Sequence, residues 1–123
     1  MEQSKFRQRI EEKKEDLVSL TQDLIRIPTV NPPGEFYSDC VEYLNKRFKS
    51  RGFKTQIIRA LGTPGDNDEY PRQNIVANIS NGQGPCVHFN SHIDVVAVGI
   101  ESNAPPIPGK AVEDKIYGRV MVD

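Results

Sequence analysis

The apolar segment VHFNSHIDVV, Val87 to Val96, constrains the fold more than any other part of the sequence. Together with the preceding Pro-Cys pair, it predicts a strand, PCVHFNSH (85–92), that is buried on both faces at the centre of a sheet. Such a strand needs helices on both sides of its sheet. The sequence therefore predicts an α/β fold in which the central strand ends in a histidine and an aspartate, His92 and Asp94.

Two helices are predicted ahead of the strands. The first is indicated by five apolar residues at helical spacing: Phe6, Ile10, Leu17, Leu20 and Leu24. It is expected to end near Ile25, because Pro28 disfavours helical backbone at the residue before it. The second helix, closed by Gly52, is indicated by a further apolar face: Tyr37, Cys40, Val41, Leu44 and Phe48.

Further strands are predicted by short β-branched segments. FKTQIIRA (53–60) and QNIVANIS (73–80) should be two strands joined by a long surface loop, and KAVEDKIYG (110–118) should be a hairpin that turns at Glu113-Asp114. Two helices are too few to cover both faces of a sheet of four or five strands. We therefore expect residues 1–123 to be the front part of a larger domain.

The composition excludes several classes of function. Sixteen basic and seventeen acidic residues give a net charge of -1, so a basic surface for nucleic acid is not expected. The sequence has neither the apolar core of a signal peptide nor the roughly 18 apolar residues that a membrane-spanning helix needs, so we expect a cytoplasmic protein without membrane contact. Cys40 and Cys86 lack Cys-x-x-Cys spacing and are expected to be buried free thiols.

The His-x-Asp motif suggests metal chemistry. Residues i and i+2 of an extended segment lie on the same side, so Asp94 can orient His92 as a metal ligand. Taken alone, the motif is also typical of a surface pair or of a hydrogen-bonded strand end. Asp123 could add an oxygen ligand to the same cation. His88 is the competing histidine, and its place inside the predicted strand favours a packed, hydrogen-bonded core residue.

Four segments, in order and spacing, resemble the N-terminal part of a family of zinc metallohydrolases. They are DLIRIPTVNPPGE, PRQNIVANI, VHFNSHIDVV and PPIPGKAVEDKIYGRVMVD. The family includes acetylornithine deacetylase, succinyl-diaminopimelate desuccinylase, aminoacylase and carboxypeptidase G. The resemblance implies that residues 1–123 are part of a three-layer α-β-α, zinc-exopeptidase-like catalytic domain with a mixed sheet, truncated at its C-terminal side. The rest of that domain and the lid or dimerisation domain are expected to be absent.

The resemblance also implies roles for individual residues. His92 would bind one of two zinc ions, Asp94 would orient His92, and Asp123 would bridge the two zincs, with cobalt as an alternative metal. A zinc pair activates a water and polarises the scissile carbonyl, so the implied reaction is hydrolysis of N-acyl amino acids or small peptides. The resemblance leaves a homodimer of the full-length form open. The family's general base lies downstream of the bridging aspartate and is expected to be absent from this chain, and no substrate-binding residue can be assigned.

Three positions depart from the family's pattern. Ser91 and Val120 replace glycines, and Ala97 replaces a common proline. A β-branched residue cannot adopt positive φ cheaply, so Val120 puts the position of Asp123 in doubt. The alternative hypothesis is therefore a catalytically inactive truncated remnant or a partner-binding fragment. Without a general base, the isolated chain is expected to show no measurable hydrolysis of N-acetyl or N-succinyl amino acids.

Overall fold

The computed structural model describes residues 2–97 and 109–118, which form a small α/β structure. Its helices and strands, in chain order, are α1 (Glu2–Glu12), α2 (Lys14–Arg26), α3 (Tyr37–Ser50), β1 (Lys54–Arg59), β2 (Gln73–Asn78), β3 (Lys110–Val112) and β4 (Lys115–Tyr117). Residues 28–97 form one compact unit, and the residues up to Ile27 group with the C-terminal segment in another. The α/β class is as predicted, whereas the three-layer architecture stays a prediction.

The N-terminal segment forms two helices where the sequence predicted one. Lys13 leaves helical geometry, with φ -102° and ψ 1°, and its N–H donates to the carbonyl of Ile10 at 3.0 Å. Residues 11–16 are all charged, so no apolar side chain holds a straight helix at this point. The predicted end is confirmed to within one residue, because α2 stops at Arg26 and Ile27 is extended ahead of Pro28.

Helix α3 is confirmed, together with its glycine stop. Gly52 has φ 83°, and its N–H donates to the carbonyl of Lys49 at 3.0 Å. The N–H of Phe53 donates to the carbonyl of Phe48 at 3.1 Å, and the two rings lie 5.3 Å apart between centroids. These paired bonds and the apolar contact define a Schellman C-cap.

The strands that follow α3 form a two-stranded antiparallel sheet. β1 and β2 pair with Ile57 opposite Ile75, as the two β-branched segments predicted. Both strands contact α3, whose Tyr37, Cys40 and Val41 are the buried apolar side chains of this unit. The core of residues 28–97 therefore lies between α3 and the sheet.

The prediction of a central strand over residues 85–92 is wrong. These residues form no ladder with another strand in the part of the chain that the structure describes, and His88, Phe89 and Cys86 are exposed. A strand of this kind is stabilised only when neighbours pair with its backbone and cover both faces, and neither β1 nor β2 does so. The core role expected for His88 and the burial expected for Cys86 are wrong for the same reason.

The second unit contains α1, α2 and the predicted hairpin. β3 and β4 pair antiparallel around Glu113-Asp114, and the N–H of Gly109 donates to the carbonyl of Tyr117 at 2.7 Å. Gln22 in α2 donates from Nε2 to the carbonyl of Gly109 at 2.7 Å. None of the described helices is long and apolar enough to cross a membrane.

Candidate metal-binding site

The His-x-Asp motif is held by a short parallel pairing with the segment before α3. Val30 and Val95 form an isolated bridge. The N–H of Val95 donates to the carbonyl of Thr29 at 2.9 Å, and the N–H of Asn31 donates to the carbonyl of Val95 at 2.8 Å. The buried Thr29 hydroxyl also donates to the carbonyl of Ile93 at 2.5 Å. The pairing therefore lies after the histidine, at the aspartate end of the motif, and not before it as predicted.

His92 and Asp94 contact each other as the motif predicted. Nδ1 of His92 lies 3.0 Å from Oδ1 of Asp94 and 3.0 Å from the backbone carbonyl oxygen of Asp94. Both oxygens are acceptors, so Nδ1 carries the proton in the neutral ring. The lone pair of Nε2 is then free, and the His92 side chain is 83% exposed. This is the arrangement in which a histidine binds a metal through Nε2.

Asn31 is the second partner of the Asp94 carboxylate. Its Nδ2 donates to Oδ2 of Asp94 at 3.1 Å, so the two carboxylate oxygens bind different partners. This hydrogen bond lowers the pKa of Asp94 from its ordinary value of 3.8, and a positive charge on His92 lowers it further. Asp94 is therefore ionised, as an aspartate that orients an imidazole must be.

Arg72 extends the network behind Asn31. Its Nη1 donates to Oδ1 of Asn31 at 3.0 Å and to the hydroxyl of Tyr37 at 3.1 Å. The guanidinium carbon lies 5.3 Å from the centre of the Tyr37 ring, within cation–π range. Burial raises the pKa of Tyr37, and the charge of Asp94 adds to that effect, so the hydroxyl stays neutral.

The described residues fit part of a metal site. His92 offers one free nitrogen and Asp94 fixes its ring, but the described ranges hold no group of three or more histidine, cysteine, aspartate or glutamate side chains that could bind a metal. Asp123, the predicted bridging ligand, lies outside the described residues, as does Val120. A metal at this position would need further ligands besides His92.

Thr29, Asn31 and Arg72 support the site, but no role was predicted for them from the sequence. One signal was present: Thr29 and Asn31 flank Val30, and in an extended segment residues two apart lie on the same side. The turn-forming prolines that follow made this segment look like a plain turn. Arg72 gave no local signal.

Curated proteins of one class, the succinyl-diaminopimelate desuccinylases, are similar to this chain. The chain is 32% identical over 109 residues to succinyl-diaminopimelate desuccinylase of Rickettsia massiliae (strain Mtu5), a match that covers 86% of this chain and 26% of the relative. It is 34% identical over 110 residues to the succinyl-diaminopimelate desuccinylase of Bradyrhizobium sp. (strain ORS 278), covering 88% of this chain and 27% of the relative.

These relatives confirm the predicted resemblance to the N-terminal part of this hydrolase family. The chain spans about a quarter of the length of the relatives that it matches. No family model matches the sequence. No solved structure matches it either.

Proposed function

We propose that this chain supplies the His92–Asp94 part of a zinc site in an amide hydrolase that acts on N-acyl amino acids or small peptides. One observation carries the proposal: Nδ1 of His92 lies 3.0 Å from two acceptor oxygens of Asp94. The neutral ring therefore has its proton on Nδ1 and its free lone pair on Nε2, and this ring is exposed. Histidine ligands are commonly oriented in this way by a carboxylate or a carbonyl.

Each residue has a defined task in this proposal. His92 binds zinc through Nε2, and Asp94 accepts the Nδ1 proton and holds the ring. Asp123 is proposed as the ligand that bridges a second zinc, on the resemblance of YGRVMVD to the family's segment. When bound, the zinc ions supply the activation of a water and the polarisation of the scissile carbonyl.

The substrate class is proposed from the relatives. They are named succinyl-diaminopimelate desuccinylase, so an N-succinyl amino acid is the first substrate to test within the N-acyl class. The reaction would be hydrolysis of the amide between the succinyl group and the amino group.

A zinc titration of the purified chain, measured by calorimetry, tests the metal site. We expect His92→Ala to weaken zinc binding by at least about tenfold and Asp94→Asn to weaken it by roughly 10–100-fold, as is typical for a partner that orients a ligand. His88→Ala is the matched control, because it removes an exposed histidine four positions earlier in the same segment. Equal zinc affinity in the wild-type chain and His92→Ala would refute the site.

A chimaera tests the reaction itself. Residues 1–123 would replace the matching segment of the Rickettsia massiliae relative, and release of the free amine from succinyl-diaminopimelate would be measured. We expect the chimaera to turn over the substrate. His92→Ala and Asp123→Asn should each abolish this turnover, whereas His88→Ala should preserve it. A folded, zinc-loaded chimaera without turnover would favour the alternative, a non-catalytic segment.

A further inference from the structure

A continuous series of hydrogen bonds connects the His92–Asp94 pair to the guanidinium of Arg72. Oδ1 of Asp94 faces His92, and Oδ2 accepts from Nδ2 of Asn31 at 3.1 Å. Oδ1 of Asn31 in turn accepts from Nη1 of Arg72 at 3.0 Å. Arg72 therefore contacts neither His92 nor Asp94 in this chain of bonds, yet it binds Asn31, whose amide donates to the second oxygen of Asp94.

The chemistry of the Asn31 amide gives this network a direction. An asparagine side chain can rotate by 180° and exchange its oxygen and nitrogen with little change in shape. A guanidinium has only donors, so Arg72 requires the oxygen of Asn31 on its side. The NH₂ group must then point to Asp94. The reversed amide would place an oxygen against the carboxylate and an NH₂ group against the guanidinium, and both contacts would be repulsive.

The backbone of Arg72 is fixed independently of Asn31. Its N–H donates to Oδ1 of Asp66 at 2.8 Å, and its carbonyl accepts from the N–H of Ala60 at 2.8 Å. The Asp66 side chain is only 4% exposed and binds Arg59 through both carboxylate oxygens, at 3.1 and 3.3 Å. These bonds fix the position of the Arg72 backbone, from which the side chain extends to its guanidinium group.

The guanidinium of Arg72 occupies space that is open because two neighbouring residues are glycines without side chains. A Cβ on Gly34 would lie 2.8 Å from Nη1 of Arg72, and a Cβ on Gly65 would collide with Nη2. Both glycines have positive φ, 107° and 83°, which other residues adopt at a cost. The Tyr37 ring packs on a third side. The head group of Arg72 is therefore confined to a slot of fixed shape.

We propose that Arg72 is a positioning residue for the His92–Asp94 pair and acts through the amide of Asn31. By fixing the direction of that amide, Arg72 holds the Asp94 carboxylate in one rotamer and leaves its other oxygen to orient the imidazole. The importance of this for catalysis rests on the proposed function, whereas the effect on Asp94 does not.

The test measures the χ1 angle of Asp94 in the metal-free, isotope-labelled chain, from three-bond NMR couplings to its two Hβ protons. The wild-type chain should show the couplings of one rotamer. Arg72→Met and Asn31→Leu should both give averaged couplings, because each removes the donor to Asp94 or the group that directs it. Arg72→Lys keeps one charged donor and should restore part of the wild-type pattern.

Two variants control for loss of charge and of packing. Lys46→Met removes a cation from the same unit, where Lys46 makes an exposed ion pair with Glu42, and it should leave the Asp94 couplings unchanged. Tyr37→Phe removes the other acceptor of Nη1 and keeps Asn31, so it too should preserve the single rotamer. Dispersed amide shifts in β1 and β2, changed only next to the substituted residue, show that each variant is folded.

The outcomes separate this proposal from the proposed function. A single Asp94 rotamer in folded Arg72→Met, or averaged couplings in Tyr37→Phe alone, would overturn the role of Arg72. In a zinc titration we expect Arg72→Met to weaken binding by roughly threefold to tenfold, less than the loss of a direct partner of the ligand. If zinc leaves the His92 signals of the wild-type chain unchanged while Arg72→Met still averages Asp94, the zinc site fails and the positioning role stands.

Discussion

The contact between Thr29 and Ile93 should be the main anchor of the segment that carries His92 and Asp94. Thr29 is 3% exposed, and its hydroxyl donates to the carbonyl of Ile93 at 2.5 Å. Thr29→Val keeps the shape and removes the donor. The variant loses one hydrogen bond and leaves a half-buried carbonyl unpaired, which costs about 1–3 kcal/mol. Urea unfolding should show this decrease in the free energy of unfolding, with faster hydrogen exchange at the N–H of Val95.

Thr63→Val provides the matched control for this prediction. The Thr63 hydroxyl also donates to a backbone carbonyl, that of Ala60, at 2.7 Å, but the bond is exposed. Water replaces it, so the cost should be within about 0.5 kcal/mol. If Thr29→Val costs no more than Thr63→Val, the hydroxyl of Thr29 does not anchor the segment and the reasoning is refuted.

Three further predictions concern the core, the competing histidine and acid stability. Val41 is 1% exposed, so Val41→Ala should cost about 2–3 kcal/mol in urea unfolding, against less than about 1 for Val76→Ala, whose side chain is 50% exposed. His88→Gln should change neither the urea midpoint nor the zinc affinity, since His88 is exposed; a drop in either would restore the core or ligand role. The hydrogen bond from Arg59 holds the pKa of Asp66 below its ordinary value of 3.8, so the stability that this pair contributes is present above that value and is lost as the pH falls further. In acid titrations followed by circular dichroism, Asp66→Asn should therefore unfold with a shallower pH dependence below about pH 4, and an unchanged profile would contradict this.

Most of the elements predicted correctly from the sequence are set by neighbouring residues, although β1 and β2 also pair across a loop as predicted. Pro28 ends α2, Gly52 caps α3, and Glu113-Asp114 turns the hairpin. Each signal lies within a few residues of the feature that it sets. The strand over 85–92 failed because a strand depends on partners elsewhere in the chain, and none of the described strands pairs with it.

The same division holds for the candidate site. His92 and Asp94 are two residues apart, so the geometry of an extended segment sufficed to predict their contact. Asn31 is 63 residues from Asp94, and Arg72 is 41 residues from Asn31. No periodicity or turn signal connects positions so far apart, and only the fold brings them together.

The central claim is that His92 keeps its proton on Nδ1 and offers Nε2 to a metal. Long-range ¹H–¹⁵N NMR of the imidazole rings, before and after addition of zinc, tests it most directly. We predict that neutral His92 carries its proton on Nδ1 in the metal-free chain, that zinc shifts its Nε2 signal, and that the ring of His88 does not respond. A proton on Nε2 of His92, or a zinc response confined to His88, would contradict the account.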